Sequence, residues 1–156
     1  MALKGDYNPV SYDISFFMNE VAERGGIVVY STVGSGVALD SSKQLCTYAA
    51  NPSGKVPAGF LMNDMVNVDQ SHYQVNPYQD VVQKGGKVSL VNYGWVLTNM
   101  IEAGDTPTAG ATAYLSNSGL VTSTSRGSAA TPPVGKFQTA KDENGYARVS
   151  YFPVVS

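Results

Sequence analysis

Residues 134–152 read VGKFQTAKDENGYARVSYF. Two runs, Val134 to Ala140 and Tyr146 to Phe152, flank the segment Lys141-Asp142-Glu143-Asn144-Gly145. Asn followed by Gly is the strongest short-range hairpin signal, because both residues tolerate positive φ. The stretch therefore reads as the last hairpin of a β protein. Working back from it, the same grammar repeats. Ala111 to Leu115 and Gly119 to Thr122 read as a hairpin around Ser116-Asn117-Ser118-Gly119. Gly85-Gly86 opens a run in which Val88 and Leu90 alternate with Lys87 and Ser89. That run continues through Gly94-Trp95-Val96-Leu97-Thr98, with a bulge or tight bend expected at Tyr93-Gly94. Gly59 to Val68, Lys43 to Tyr48 and Ile27 to Val33 are further runs, each bounded by Gly, Pro, Asn or Ser.

Evenly spaced short strands with such turns point to an all-β fold, a small β-barrel or sandwich. Residues 106–135 hold a single charge, Arg126, and much of this Ser/Thr/Ala-rich stretch reads as a long loop. Residues 1–26 precede the β pattern and read as an N-terminal arm, extended or partly helical, ahead of a β domain at 27–156. Ile14, Phe17, Met18 and Val21 have helical spacing, while Ile14, Phe16 and Met18 alternate like a strand. Both readings stay open. Either one leaves bulky apolar residues outside the β pattern.

At 156 residues the chain is one domain in size and long enough to bury a core without disulfides. Charged residues make up 14% and the formal net charge is −2, so no basic stripe marks a nucleic-acid or membrane-surface partner. A single cysteine, Cys46, excludes an internal disulfide and a cysteine zinc cage. The opening MALKGDYNPV turns polar at once and does not read as a secretory leader, so synthesis in a cytoplasm is expected.

The residues of catalysis are sparse. His72 is the only imidazole, and a hydrolase would have to pair it with Asp64 or Asp69. The plainer reading is a solvated loop histidine. Asp64 and Asp69 point to opposite faces of a continuous strand, which weakens them as a carboxylate pair. Gly34-Ser35-Gly36 and Ser53-Gly54-Lys55 lack the flanking residues of phosphate loops and read as turns. Trp95 could serve as a carbohydrate platform, although a lone Trp in such a run is more often core or interface. Neither an enzyme nor a metal or cofactor is expected. Tyrosine is abundant, at ten, and Tyr7, Tyr12, Tyr73 and Tyr78 fall where an edge would be exposed. A compact, Tyr-rich β domain with an apolar arm suits a binding or structural module, because a partner would cover the arm.

The order of features resembles the capsid decoration (cement) proteins of tailed bacteriophages. The resemblance rests on Glu23-Arg24-Gly25-Gly26-Ile27-Val28, Pro57-Ala58-Gly59-Phe60-Leu61, Gly85-Gly86-Lys87-Val88 and Gly94-Trp95-Val96-Leu97-Thr98. Ala109 to Leu115 and Val134-Gly135-Lys136-Phe137 extend it, over roughly residues 23–152. The family implies a non-catalytic protein on the outer surface of a phage head, frequently a homotrimer, that clamps adjacent major capsid proteins. Carried over by position, the capsid-binding residues are Tyr7, Tyr12, Ile14, Phe16, Phe17, Met18 and Val21. The competing expectation is a carbohydrate- or receptor-binding module of a virion appendage.

Overall fold

A computed structural model describes residues 2–31, 44–64, 80–127 and 131–152, with the side chains of residues 5–7 and 64 outside that description. The described residues are almost wholly β. In chain order the strands are β1 (Leu3–Met18), β2 (Ala22–Glu23), β3 (Ile27–Ser31), β4 (Leu45–Thr47), β5 (Pro57–Asp64) and β6 (Val81–Val82). They continue as β7 (Lys87–Thr98), β8 (Thr112–Leu115), β9 (Val121–Thr122), β10 (Pro133–Phe137) and β11 (Ala147–Tyr151). Nine of them form one sheet in the order β1-β4-β3-β5-β7-β11-β10-β8-β9, and β2 pairs with β6. A further pairing of β1 with β7 closes β1, β4, β3, β5 and β7 into a ring, the small barrel that the turn spacing leads one to expect.

The ring works because its wall is apolar on both faces. Val28, Cys46, Leu61, Val88 and Leu90 point into the barrel, where Met18 of β1 joins them, all fully buried. Alternate residues of the same strands, Ile27, Val29, Phe60 and Val91, face the other way and meet a second core. That core is covered by β8 to β11, through Ala113, Leu115, Phe137, Val149 and Tyr151. The period of two thus sends one strand's side chains into two separate interiors. β7 is common to both. Its first half pairs with β5 and its second half with β11, while its other edge runs along β1.

Residues 1–26 resolve as strand where they touch the ring. β1 is 16 residues long and pairs with β7 from Leu3 to Phe17. At its end Phe17 and Met18 also pair in parallel with Leu45 and Cys46. The last hairpin is present, but its strands stop at Phe137 and Ala147, sooner than the Asn-Gly reading suggests. The cause is Asp142, whose Oδ1 accepts the Asn144 and Tyr146 N–H groups at 2.9 and 2.8 Å and organises a longer loop. The supposed long loop at 106–135 contains β8, a 3-10 turn at Asn117–Gly119 and β9. Ser53-Gly54-Lys55 is a turn, with Gly54 at φ 69° and the Lys55 N–H donated to the Pro52 carbonyl.

Candidate functional site

β1 is not a regular strand, and its irregularities decide what it displays. Pro9 pairs with Gly94 and Ser11 with Tyr93, so Val10 is an extra residue on the β1 side. Ser11 pairs with Tyr93 and Tyr12 with Val91, so Asn92 is then the extra residue on the β7 side. From Asp13 to Phe16 the shift returns to β1, and there the Asp13 carboxylate accepts the Ser15 N–H at 2.7 Å. Local residue chemistry accounts for the site. Pro9 has no N–H to give a ladder, and proline in a sheet is found at edges and bulges. Gly94 lies at φ 143°, and a Cβ there would overlap the Asn8 carbonyl and stand 2.9 Å from Pro9 Cα. The two backbones approach closely because position 94 has no side chain.

The bulges lift β1 away from the core. Val10, Tyr12 and Ile14 are 67%, 62% and 47% exposed. Val21 is exposed as well, in the link to β2. Phe16 is half-buried, with its ring 5.7 Å from that of exposed Tyr30. Phe17 and Met18 are buried, and Met18 is part of the barrel interior. Tyr7 belongs to β1, and its side chain lies outside the described residues. Of the residues singled out in the sequence, Tyr12, Ile14 and Val21 therefore present apolar surface, Phe16 does so in part, and Phe17 and Met18 hold the strand down.

Beside β1 lies a cleft of about 290 Å³, bordered by Ser11, Tyr30, Val56, Asn92, Tyr93 and Tyr151. It forms where β7 leaves β5 and joins β11, so that Asn92 and Tyr93 stand at the fork. Asn92 Oδ1 is buried there without a hydrogen-bond partner. Tyr93 packs edge-on against Phe152, with centroids 5.5 Å apart, and both are exposed. Tyr151 closes the floor, donating its hydroxyl to the Pro57 carbonyl at 3.1 Å, and burial pushes its pKa up. Val10, Tyr30, Val56, Tyr93 and Phe152 are exposed residues on or beside this face that sequence reasoning missed. Pro9 was a legible hint of a bulge next to Val10. The others depend on which strands meet at the fork, and a linear pattern does not state that.

The groups considered for chemistry fall elsewhere. His72 and Asp69 lie outside the described residues, as do the side chain of Asp64, the Gly34-Ser35-Gly36 segment, Tyr73 and Tyr78. Cys46 is buried, and desolvation with the nearby Glu20 charge pushes its thiol up to about 12. Trp95 is half-buried and carries the Arg148 guanidinium 3.5 Å above its ring. Among the described residues no group of three or more His, Cys, Asp or Glu could hold a metal ion, and no helix is long and apolar enough to cross a membrane.

The described residues thus form a barrel with exposed apolar side chains on a bulged outer strand. A family model described as structural cement protein (E217 gp24/Pam3 gp6) matches residues 2–152. The chain belongs to this family of phage cement proteins. The match starts within the first residues and so takes in β1 as well as the ring and the C-terminal strands. The role of a cement protein is the decoration and stabilisation of a capsid. No curated protein matches the chain.

Proposed function

We propose that this cement protein docks on the outer surface of an assembled phage head, across the contact between neighbouring major capsid proteins, and works without catalysis. The docking element in this reading is the N-terminal segment at 1–26, with Val10, Tyr12, Ile14 and Val21 as the apolar anchors and the Tyr30–Tyr93 cleft beside them. Tyr7 and Phe16 belong to the same strand, and Phe17 and Met18 fix its end in the barrel. The observation that carries the reading is the display of three large apolar side chains within five residues of one bulged strand, Val10 to Ile14. Water exposure of such side chains is unfavourable, and covering what is left of each contributes on the order of 1 kcal/mol. A modest contact suffices, because many copies act on one shell and each binds only the assembled state. A homotrimer would let one particle of cement bridge several subunits. Synthesis in the host cytoplasm fits assembly onto preformed heads.

The test is co-sedimentation with empty expanded shells, together with the shell melting temperature and the solution mass of the free protein. Wild type is expected to pellet with shells and raise their melting temperature. The double variant Tyr12→Ala, Ile14→Ala is expected to keep its own stability within about 0.5 kcal/mol, since both side chains are exposed, yet lose shell binding. Binding at the wild-type level by that variant would move the docking face off β1. Removing residues 1–22 is the less informative test, because it takes out a ring strand along with Met18.

A further inference from the structure

Among the described residues, the outer face of the sheet beyond the cleft carries two cations, Arg148 and Lys136. Trp95 and Leu97 of β7 are half-buried on the face opposite buried Val96 and Thr98. Arg148 pairs with Leu97 in the ladder and stacks its guanidinium on the Trp95 ring. Its Nε is buried and has no hydrogen-bond partner among the described residues. Lys136 lies one strand further out, opposite Ser150, and is exposed. Among the described residues neither cation has a carboxylate within ion-pair distance, whereas Lys4, Arg24 and Arg126 are each paired, with Asp142, Asp80 and Glu102. What sets Arg148 apart is that its guanidinium lies against an aromatic ring with Nε buried, in a chain whose net charge is −2.

A stacked guanidinium is pre-organised. The Trp95 ring fixes its plane, so less freedom is left to lose when an anion arrives. The geometry matches a carboxylate, which takes a guanidinium through two parallel hydrogen bonds. Trp, Tyr and Arg together are also the composition of the residues that dominate protein interfaces. We infer that Trp95, Arg148 and Lys136 form a contact for an acidic segment of the protein partner, with Arg148 taking an Asp or Glu carboxylate and Lys136 adding long-range attraction. The inference rests on the capsid-docking reading and adds to it the chemistry of the partner: the capsid surface under this face is acidic.

The experiment measures shell affinity of the full chain as a function of salt. Arg148→Met keeps the stem over Trp95 and removes the charge, while Arg148→Lys keeps the charge and removes the fork. At low salt Arg148→Met is expected to weaken binding on the order of tenfold, and the gap to wild type should close as salt approaches about 0.5 M. Arg148→Lys should recover part of the loss, and Lys136→Ala should flatten the salt dependence with a smaller change in affinity. Melting of the free variants shows whether each is folded, and Tyr12→Ala, Ile14→Ala serves as the apolar control whose deficit persists at high salt. If wild type binds shells and Arg148→Met binds them equally at every salt concentration, the acidic contact is wrong and the docking reading stands. If wild type does not bind shells, both fall.

Discussion

β1 and β11 flank the same strand, β7, and behave in opposite ways. β11 makes five consecutive pairs, from Ala147 with Thr98 to Tyr151 with Gly94, without a shift of register. Its apolar residues Ala147, Val149 and Tyr151 are buried. β1 runs along the other edge with register shifts at four places, and its middle is exposed. The regular ladder keeps the period of two and serves the interior. The interrupted ladder turns the alternate residues Val10, Tyr12 and Ile14 outward. Bulges are thus the device by which one sheet both folds and displays.

The largest expected effect breaks the regular side. An added Cβ at Gly135 would overlap the Ser150 carbonyl oxygen in the β10–β11 ladder. Gly135→Ala is expected to destabilise the chain by on the order of 3 kcal/mol or more, read by urea unfolding. A neutral result would mean that β10 and β11 are less closely paired than described here. On the irregular side, Gly94→Ala meets positive φ and the Asn8 backbone together. It should cost about 2 kcal/mol and also weaken shell binding, because the bulge that displays Val10 must re-form. Loss of stability with full binding would separate the bulge from docking.

A smaller effect concerns acid. Asp105 is pushed up by burial, but hydrogen bonds from the Ser123 hydroxyl and N–H, at 2.6 and 2.5 Å, outweigh this and hold its carboxyl below the ordinary value. Glu102 behaves likewise: burial raises it, and bonds from Ser116 and Arg126 more than offset that. Groups with depressed folded pKa contribute stability above their unfolded pKa and lose it as pH falls through the folded one. The melting temperature should therefore drop below about pH 4, and Asp105→Asn should be less stable at neutral pH with a shallower acid drop. An unchanged acid profile in that variant would remove Asp105 from the account. The smallest effect is kinetic. Cys46 lies under Phe17 and Met18, with its Sγ 3.7 Å from the Phe17 carbonyl oxygen. Thiol labelling at pH 8 should be slow against a free thiol yet faster than global unfolding, because the β1 ladder opens before the β11 ladder. Labelling at the global unfolding rate would show that the two ladders open together.

Much of the architecture was legible in the residues. The strands around Val28, Leu90, Val96 and Val149 announced themselves by β-branched runs and bounding glycines. The bend at Tyr93-Gly94 was legible too, since a glycine inside a strand pattern signals close backbone approach. The nature of residues 1–26 was not. Strand-like alternation at Ile14, Phe16 and Met18 competes with helical spacing at Ile14, Phe17, Met18 and Val21, and the register shifts of β1 are not written in either pattern. The inward turn of Phe17 and Met18 depends on parallel pairing with β4, a contact between residues 28 positions apart. The cleft at Asn92 and Tyr93 exists only because β5 and β11 share one edge of β7, and neither neighbour can be read from β7 itself.

That long antiparallel seam between β1 and β7 has a mechanical side. A tug on a docked strand, directed along its axis, loads many cross-links at once in shear instead of unzipping them one after another. If β1 is the docking strand, the element under load is also the one stitched along β7, and tension on it would reach both interiors through that strand.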